Sequence, residues 1–155
     1  MKKNLFLLLL TLILGSTASQ AQSPAIKELR ALVEEAPMKF ETQLGEVDKE
    51  NNGLVYYKTK NKSGDVSFIV KNKTGNHQYY MIYNLDPDDM SFKLKKMLMD
   101  QYVTELNAMV KTGNYKGTDV VQDGNNVTRI TDLAGNRVVD LQSTSSNFFV
   151  IVYGN

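Results

Sequence analysis

The chain has 155 residues, no cysteine, and 18 basic against 17 acidic side chains. That length fits one ordinary domain with a proper core. The missing cysteine excludes disulfides, thiol chemistry and lipid attachment at a cysteine, and the balanced charge argues against nucleic acid and against polybasic membrane binding.

The N-terminus reads as a secretory leader. Met1-Lys2-Lys3-Asn4 is a short basic start, and Leu5 to Leu14 is apolar except for Thr11. Ser19 and Ala21 stand where a signal peptidase reads small residues. The apolar run is about ten residues, half of what a spanning helix needs. Cleavage near Ala21 is expected, leaving one domain at 22–155 that is periplasmic or secreted. Loss of Lys2 and Lys3 leaves 16 basic against 17 acidic residues. No second apolar run is long enough to span a bilayer, so the mature chain is expected to carry no integral membrane segment.

Ser23 is a good N-cap, and Pro24 suits the first helical position. Ile26, Leu29, Leu32, Val33 and Ala36 follow at helical spacing. Pro37 pushes the residue before it out of the helical region, so the first helix is expected over 24–36. Residues 37–52 suggest at most a short strand near 43–48. Runs rich in Val, Ile, Tyr and Phe at 54–60, 65–72 and 77–85 predict three strands. Asn61-Lys62-Ser63-Gly64 and Lys73-Thr74-Gly75-Asn76 have turn compositions, which makes the three an antiparallel meander.

Asp86-Pro87-Asp88-Asp89 predicts a second helix start, with an aspartate cap and acids at the positive end of the dipole. Phe92, Leu98, Met99, Tyr102, Val103, Leu106, Met109 and Val110 form one apolar face. Gly113 ends the helix. Four more strands are expected near 117–122, 127–132, 137–142 and 147–153. Four-residue loops would put Val121, Ile130, Val139, Leu141, Phe148, Val150 and Val152 on one face, and Arg129 opposite Asp140 on the other. The last strand is apolar on both faces, as a central strand would be. The order α-β-β-β-α-β-β-β-β, without parallel crossovers, predicts an α+β fold with two helices packed on antiparallel sheet. Each half is a helix followed by a meander, which suggests a pseudo-repeat.

Catalytic signals are absent. His77 is the only histidine and has no partner in sequence, so it reads as an exposed hairpin residue rather than a base. One histidine without cysteine does not make a zinc site. The acids from Asp86 lack an EF-hand's glycine and glutamate, because Ser91 and Met97 stand at the sixth and twelfth positions. There is no G-x-S-x-G elbow, phosphate loop or dinucleotide fingerprint. No catalytic residue, metal ligand or cofactor is therefore assigned. A hydrolase built on His77 and acids is the remote alternative.

Five of the eight tyrosines, Tyr56, Tyr57, Tyr79, Tyr80 and Tyr83, lie in the first meander. With four-residue loops, Val55, Tyr57, Val66, Phe68, Val70, Tyr79, Met81 and Tyr83 share the core face. The other face then carries Tyr56, Ile69 and Tyr80 in a row, with Ile82 beside Tyr80. Such a row is either ordinary cross-strand pairing under another layer, or an exposed aromatic patch with a polar rim. Phe149, Ile151 and Tyr153 on the last strand pose the same choice. The chain is expected to be an exported, non-catalytic binding domain. Its binding residues would be Tyr56, Ile69, Tyr80 and Ile82, and its partner an envelope or extracellular protein or a glycan. The alternative is a carrier of a small apolar ligand between the second helix and the sheet, near Met97, Met99 and Met109.

Overall fold

The computed structural model describes residues 23–155. The leader expected at 1–21 lies outside the described residues. Helix α1 (Pro24–Glu35) begins after Ser23 with proline in its first turn. Pro37 ends it as expected, within a 3-10 turn at Ala36–Met38. Then come β1 (Leu44–Asn51), β2 (Leu54–Thr59), β3 (Val66–Lys71) and β4 (His77–Asn84). Helix α2 (Phe92–Lys111) leads into β5 (Tyr115–Gln122), β6 (Asn125–Asp132), β7 (Arg137–Ser143) and β8 (Asn147–Gly154).

All eight strands form one antiparallel sheet in the order β1-β2-β3-β4-β8-β7-β6-β5. The expected α+β architecture is present, with a full eighth strand where the sequence suggests at most a short one near 43–48. That strand, β1, is joined to β2 by Asn52-Gly53, with φ of 51° and 79°. Positive φ at both positions makes a type I′ hairpin, whose twist matches that of the strands it joins. Asp123-Gly124 repeats it between β5 and β6, with φ of 52° and 78°. The loop expected at 123–126 is therefore two residues long, and the shift of two keeps every side chain on its face.

The pseudo-repeat is visible in the element bounds. β5, β6 and β7 each start 71 residues after β1, β2 and β3, and β8 starts 70 after β4. Two four-stranded units thus meet edge to edge at β4 and β8, which makes β8 central. Both helices cover the same face. Ile26, Leu29 and Leu32 of α1 and Tyr102 and Leu106 of α2 pack with Ile69, Tyr79, Met81, Ile130, Val139, Leu141, Phe148, Val150 and Val152. Each such side chain contributes about 1.5–3 kcal/mol of burial. Tyr83 stacks on Phe148 with ring centroids 4.3 Å apart, and its hydroxyl bonds that of Tyr102 at 2.8 Å, so neither buried oxygen is left unpaired.

Four local expectations are corrected. β3 is slipped by one residue: Tyr57 pairs with Ile69 and Lys58 with Phe68. The connection before β3 sets this register. Its Ser63 is buried, bonds Glu28 and Tyr79 through its hydroxyl, and donates its amide to Ser67 Oγ at 3.0 Å. A one-residue slip exchanges the faces, so Ile69 is 0 % exposed beneath the helices, and Val66, Phe68 and Val70 turn to the opposite side. The second correction concerns the start of α2. Asp86 and Asp89 accept backbone bonds from Asp88 and Ser91, at 3.0 and 2.8 Å, forming local turns. The helix starts only at Phe92. The Ser91 amide, and then Lys95 at 3.1 Å, hold the Asp89 carboxyl at about 2. Third, His77 is buried at the start of β4 rather than exposed. Finally, Val121 and Val103 are exposed and stand outside the core.

Candidate functional site

Alternation along the strands puts every second side chain on the face away from the helices. Register sets three rows there. One runs Tyr56, Val70, Gln78, Tyr153; the next Lys58, Phe68, Tyr80, Ile151, Asp140, Arg129; the third Val66, Ile82, Phe149, Gln142, Val127. Across their centre lies a trough of about 520 Å³ whose walls include Phe68, Tyr80, Ile82, Phe149, Ile151 and Tyr153. Gln78, Gln122, Asn125, Gln142, Thr144, Arg137 and Asp140 complete it. That volume is in the range of ligand-binding clefts, roughly 300–1,000 Å³.

Of the four residues singled out from sequence, Tyr80 and Ile82 line the trough, and Tyr56 lies on the same face, its ring 6.1 Å from that of Phe68. Ile69 does not belong to it. Because β4 pairs with β8, Phe149, Ile151 and Tyr153 continue the row of Tyr80 and Ile82, so two patches apart in sequence form one surface. Sequence reasoning missed Phe68, Gln142 and Arg137. The Arg129–Asp140 pair was legible as a cross-strand charge match, and it sits in the site.

The polar part is built around Asp140, which is 2 % exposed. Its carboxylate accepts from Arg129 Nε at 2.9 Å, Arg129 Nη2 at 3.0 Å and the Tyr153 hydroxyl at 2.9 Å. Arg129 Nη2 also donates to Gln122 Oε1 at 2.8 Å. The Tyr80 hydroxyl donates to Gln78 Oε1 at 2.7 Å. Burial, and then the charge of Asp140, push the Tyr153 hydroxyl up to about 12. Burial raises Tyr80 as well, with smaller contributions from Tyr56 and Asp140. Both phenols therefore remain protonated donors at neutral pH.

Ring geometry completes the picture. Phe68 and Tyr80 stack on one another at 4.9 Å and 12°. The Arg137 guanidinium lies over the Tyr153 ring at 5.7 Å, and Lys49 Nζ over that of Tyr56 at 4.8 Å. His77 takes no part. It lies under the helix side near Tyr57, and burial, Lys71 and Lys39 lower its pKa. Among the described residues, no three His, Cys, Asp or Glu side chains gather in a metal-holding group, and no helix is long and apolar enough to cross a membrane.

A second hollow of about 460 Å³ lies between α2 and the β5–β6 hairpin, lined by Met99, Val103, Val121, Val127 and Leu141 among others. Met97 is exposed, and Met109 lines a different hollow beside Arg30 and Glu105. No protein-family model, curated protein or solved structure matches this chain.

Proposed function

We propose that this chain is an exported, non-catalytic binding domain and that the open face of its sheet is the docking surface. One observation carries the reading. The helices already bury one face of the sheet, yet the other bears a trough walled by four aromatic and two aliphatic side chains. A sheet face meant only for water alternates to polar residues, and a concentrated apolar patch with a polar rim marks a contact site.

The test is capture from the native envelope and medium with wild type beside Tyr56→Ala/Tyr80→Ala, with circular dichroism on both. A partner retained by wild type and lost by the folded variant supports the docking surface. A partner held equally by both places binding elsewhere and refutes it.

The apolar hollow beside Met99 and Val103 favours a second reading, a carrier of a small apolar ligand. Native mass spectrometry of protein from its own host decides this one: an added ligand mass supports it, and a bare chain counts against it.

A further inference from the structure

We propose that the trough takes an acidic polypeptide segment, an apolar anchor side chain next to an Asp or Glu, with Arg137 receiving the carboxylate. This rests on the open face being the docking surface and says what kind of partner fits it.

The first argument is the balance of donors and acceptors. The strongest acceptors in the trough are already engaged. The Asp140 carboxylate holds Arg129 and Tyr153, Gln122 Oε1 holds Arg129, and Gln78 Oε1 holds Tyr80. The same bonds leave the side-chain amide nitrogens of Gln78 and Gln122, both lining the trough, available as donors, since an amide whose oxygen is engaged still carries two N–H groups. Arg137 adds a guanidinium with five donors, its side chain 44 % exposed. Gln142 and Asn125 carry both amide donors and acceptor oxygens, so the Arg137 guanidinium is what tips the trough toward donors, and it calls for a ligand with the reverse balance.

Charge points the same way. Arg129 and Asp140 form a close bidentate pair and neutralise each other. Arg137 stands 4.0 Å from the same carboxylate, whose shorter bonds go to Arg129 and Tyr153. It leaves one excess positive charge in a half-buried setting, where a bidentate carboxylate is the favoured complement.

Ring geometry separates a polypeptide from a sugar. A sugar ring stacks on a flat aromatic face. Here Phe68 and Tyr80 each cover one face of the other, Arg137 lies over one face of Tyr153, and Lys49 over one face of Tyr56. What remains are ring edges, the Phe149 ring and the aliphatic walls of Ile82 and Ile151, which suit a branched or aromatic side chain. Glutamine and asparagine on the walls match backbone N–H and C=O groups.

The test is selection from phage-displayed random dodecapeptides on the full chain exported with its leader. Enriched peptides are then measured free in solution by fluorescence anisotropy. Enrichment of Asp or Glu within two positions of a large apolar residue is expected. Arg137→Gln is expected to weaken the best peptide about tenfold or more, and Tyr80→Ala to abolish binding while the circular dichroism stays native. Peptides without acidic enrichment, or indifferent to Arg137→Gln yet lost by Tyr80→Ala, overturn the acidic partner and leave the docking face standing. Peptides indifferent to both variants overturn both. Failure to enrich any peptide, or binding of a uronic-acid oligosaccharide alone, overturns the polypeptide assignment.

Discussion

Removing the Asp140 carboxylate is the sharpest single test of how the open face is built. In Asp140→Ala, Arg129 loses three hydrogen bonds, at 2.9, 3.0 and 3.3 Å, and Tyr153 loses one at 2.9 Å. The pair is poorly solvated, with side chains 16 % and 3 % exposed. Deleting one partner strands a guanidinium that water reaches poorly, which costs about 3–5 kcal/mol. A domain of this size is stable by roughly 5–15 kcal/mol, so the change removes a large share. Urea unfolding measures it as a fall in midpoint of about 2 M at unchanged slope. Replacing both partners, Arg129→Met with Asp140→Leu, is expected to recover most of the loss, because no charge is then left unpaired. A loss below about 1 kcal/mol for Asp140→Ala would be the value of an exposed pair. It would refute the view that water reaches this network poorly.

Three further outcomes are expected. Ile69→Ala should lose about 2–5 kcal/mol as a core truncation, and Phe68→Ala only about 1–2 kcal/mol, mainly its stacking with Tyr80; the opposite order in chemical denaturation would restore the register expected from sequence. His77 has a folded pKa below its ordinary 6.5, so the unfolded chain binds its proton more readily. Stability is then intact above about pH 6.5 and falls as pH drops toward the folded value, and denaturation midpoints across that window should lose this slope in His77→Gln. Gly124 has φ of +78° with open space where a Cβ would stand. Gly124→Ala should therefore cost about 1 kcal/mol from backbone strain alone, and a thermal shift indistinguishable from zero would contradict the I′ hairpin.

How far the fold was legible depends on whether a feature was local. Pro37, the apolar stripe of α2, Gly113 and the Arg129–Asp140 match are local or nearest-neighbour signals, and they led to the observed elements. The slip of β3 was not local. It is set by Ser63 reaching Glu28 and Tyr79 across the fold, contacts that no loop composition encodes. That slip alone exchanged Ile69 for Phe68 in the site. Strand β1, expected at most as a short strand near 43–48, is a different case. Asn52-Gly53 is a strong hairpin signal, but β1 carries Glu46, Asp48, Lys49 and Glu50, which are poor strand formers and weaken its pattern. Those charges suit an edge strand, where they discourage pairing with another chain. Likewise the acids at 86–89 resemble a helix cap in sequence, but their carboxylates reach only their own loop and Lys95.

The duplicated architecture explains where the site lies. Two four-stranded units joined through β4 and β8 place their last strands at the centre of one sheet. Side chains of those two strands on the open face, Gln78, Tyr80, Ile82, Phe149, Ile151 and Tyr153, therefore meet at the seam. The flanking strands make the two sides unlike. The first unit adds Phe68 and an aromatic stack; the second adds Arg129, Asp140, Arg137 and the glutamines. Isolating either half would remove one wall of the trough, so the proposed docking face requires the joined pair, with Phe68, Tyr80 and Ile82 of one unit meeting Phe149, Ile151 and Tyr153 of the other.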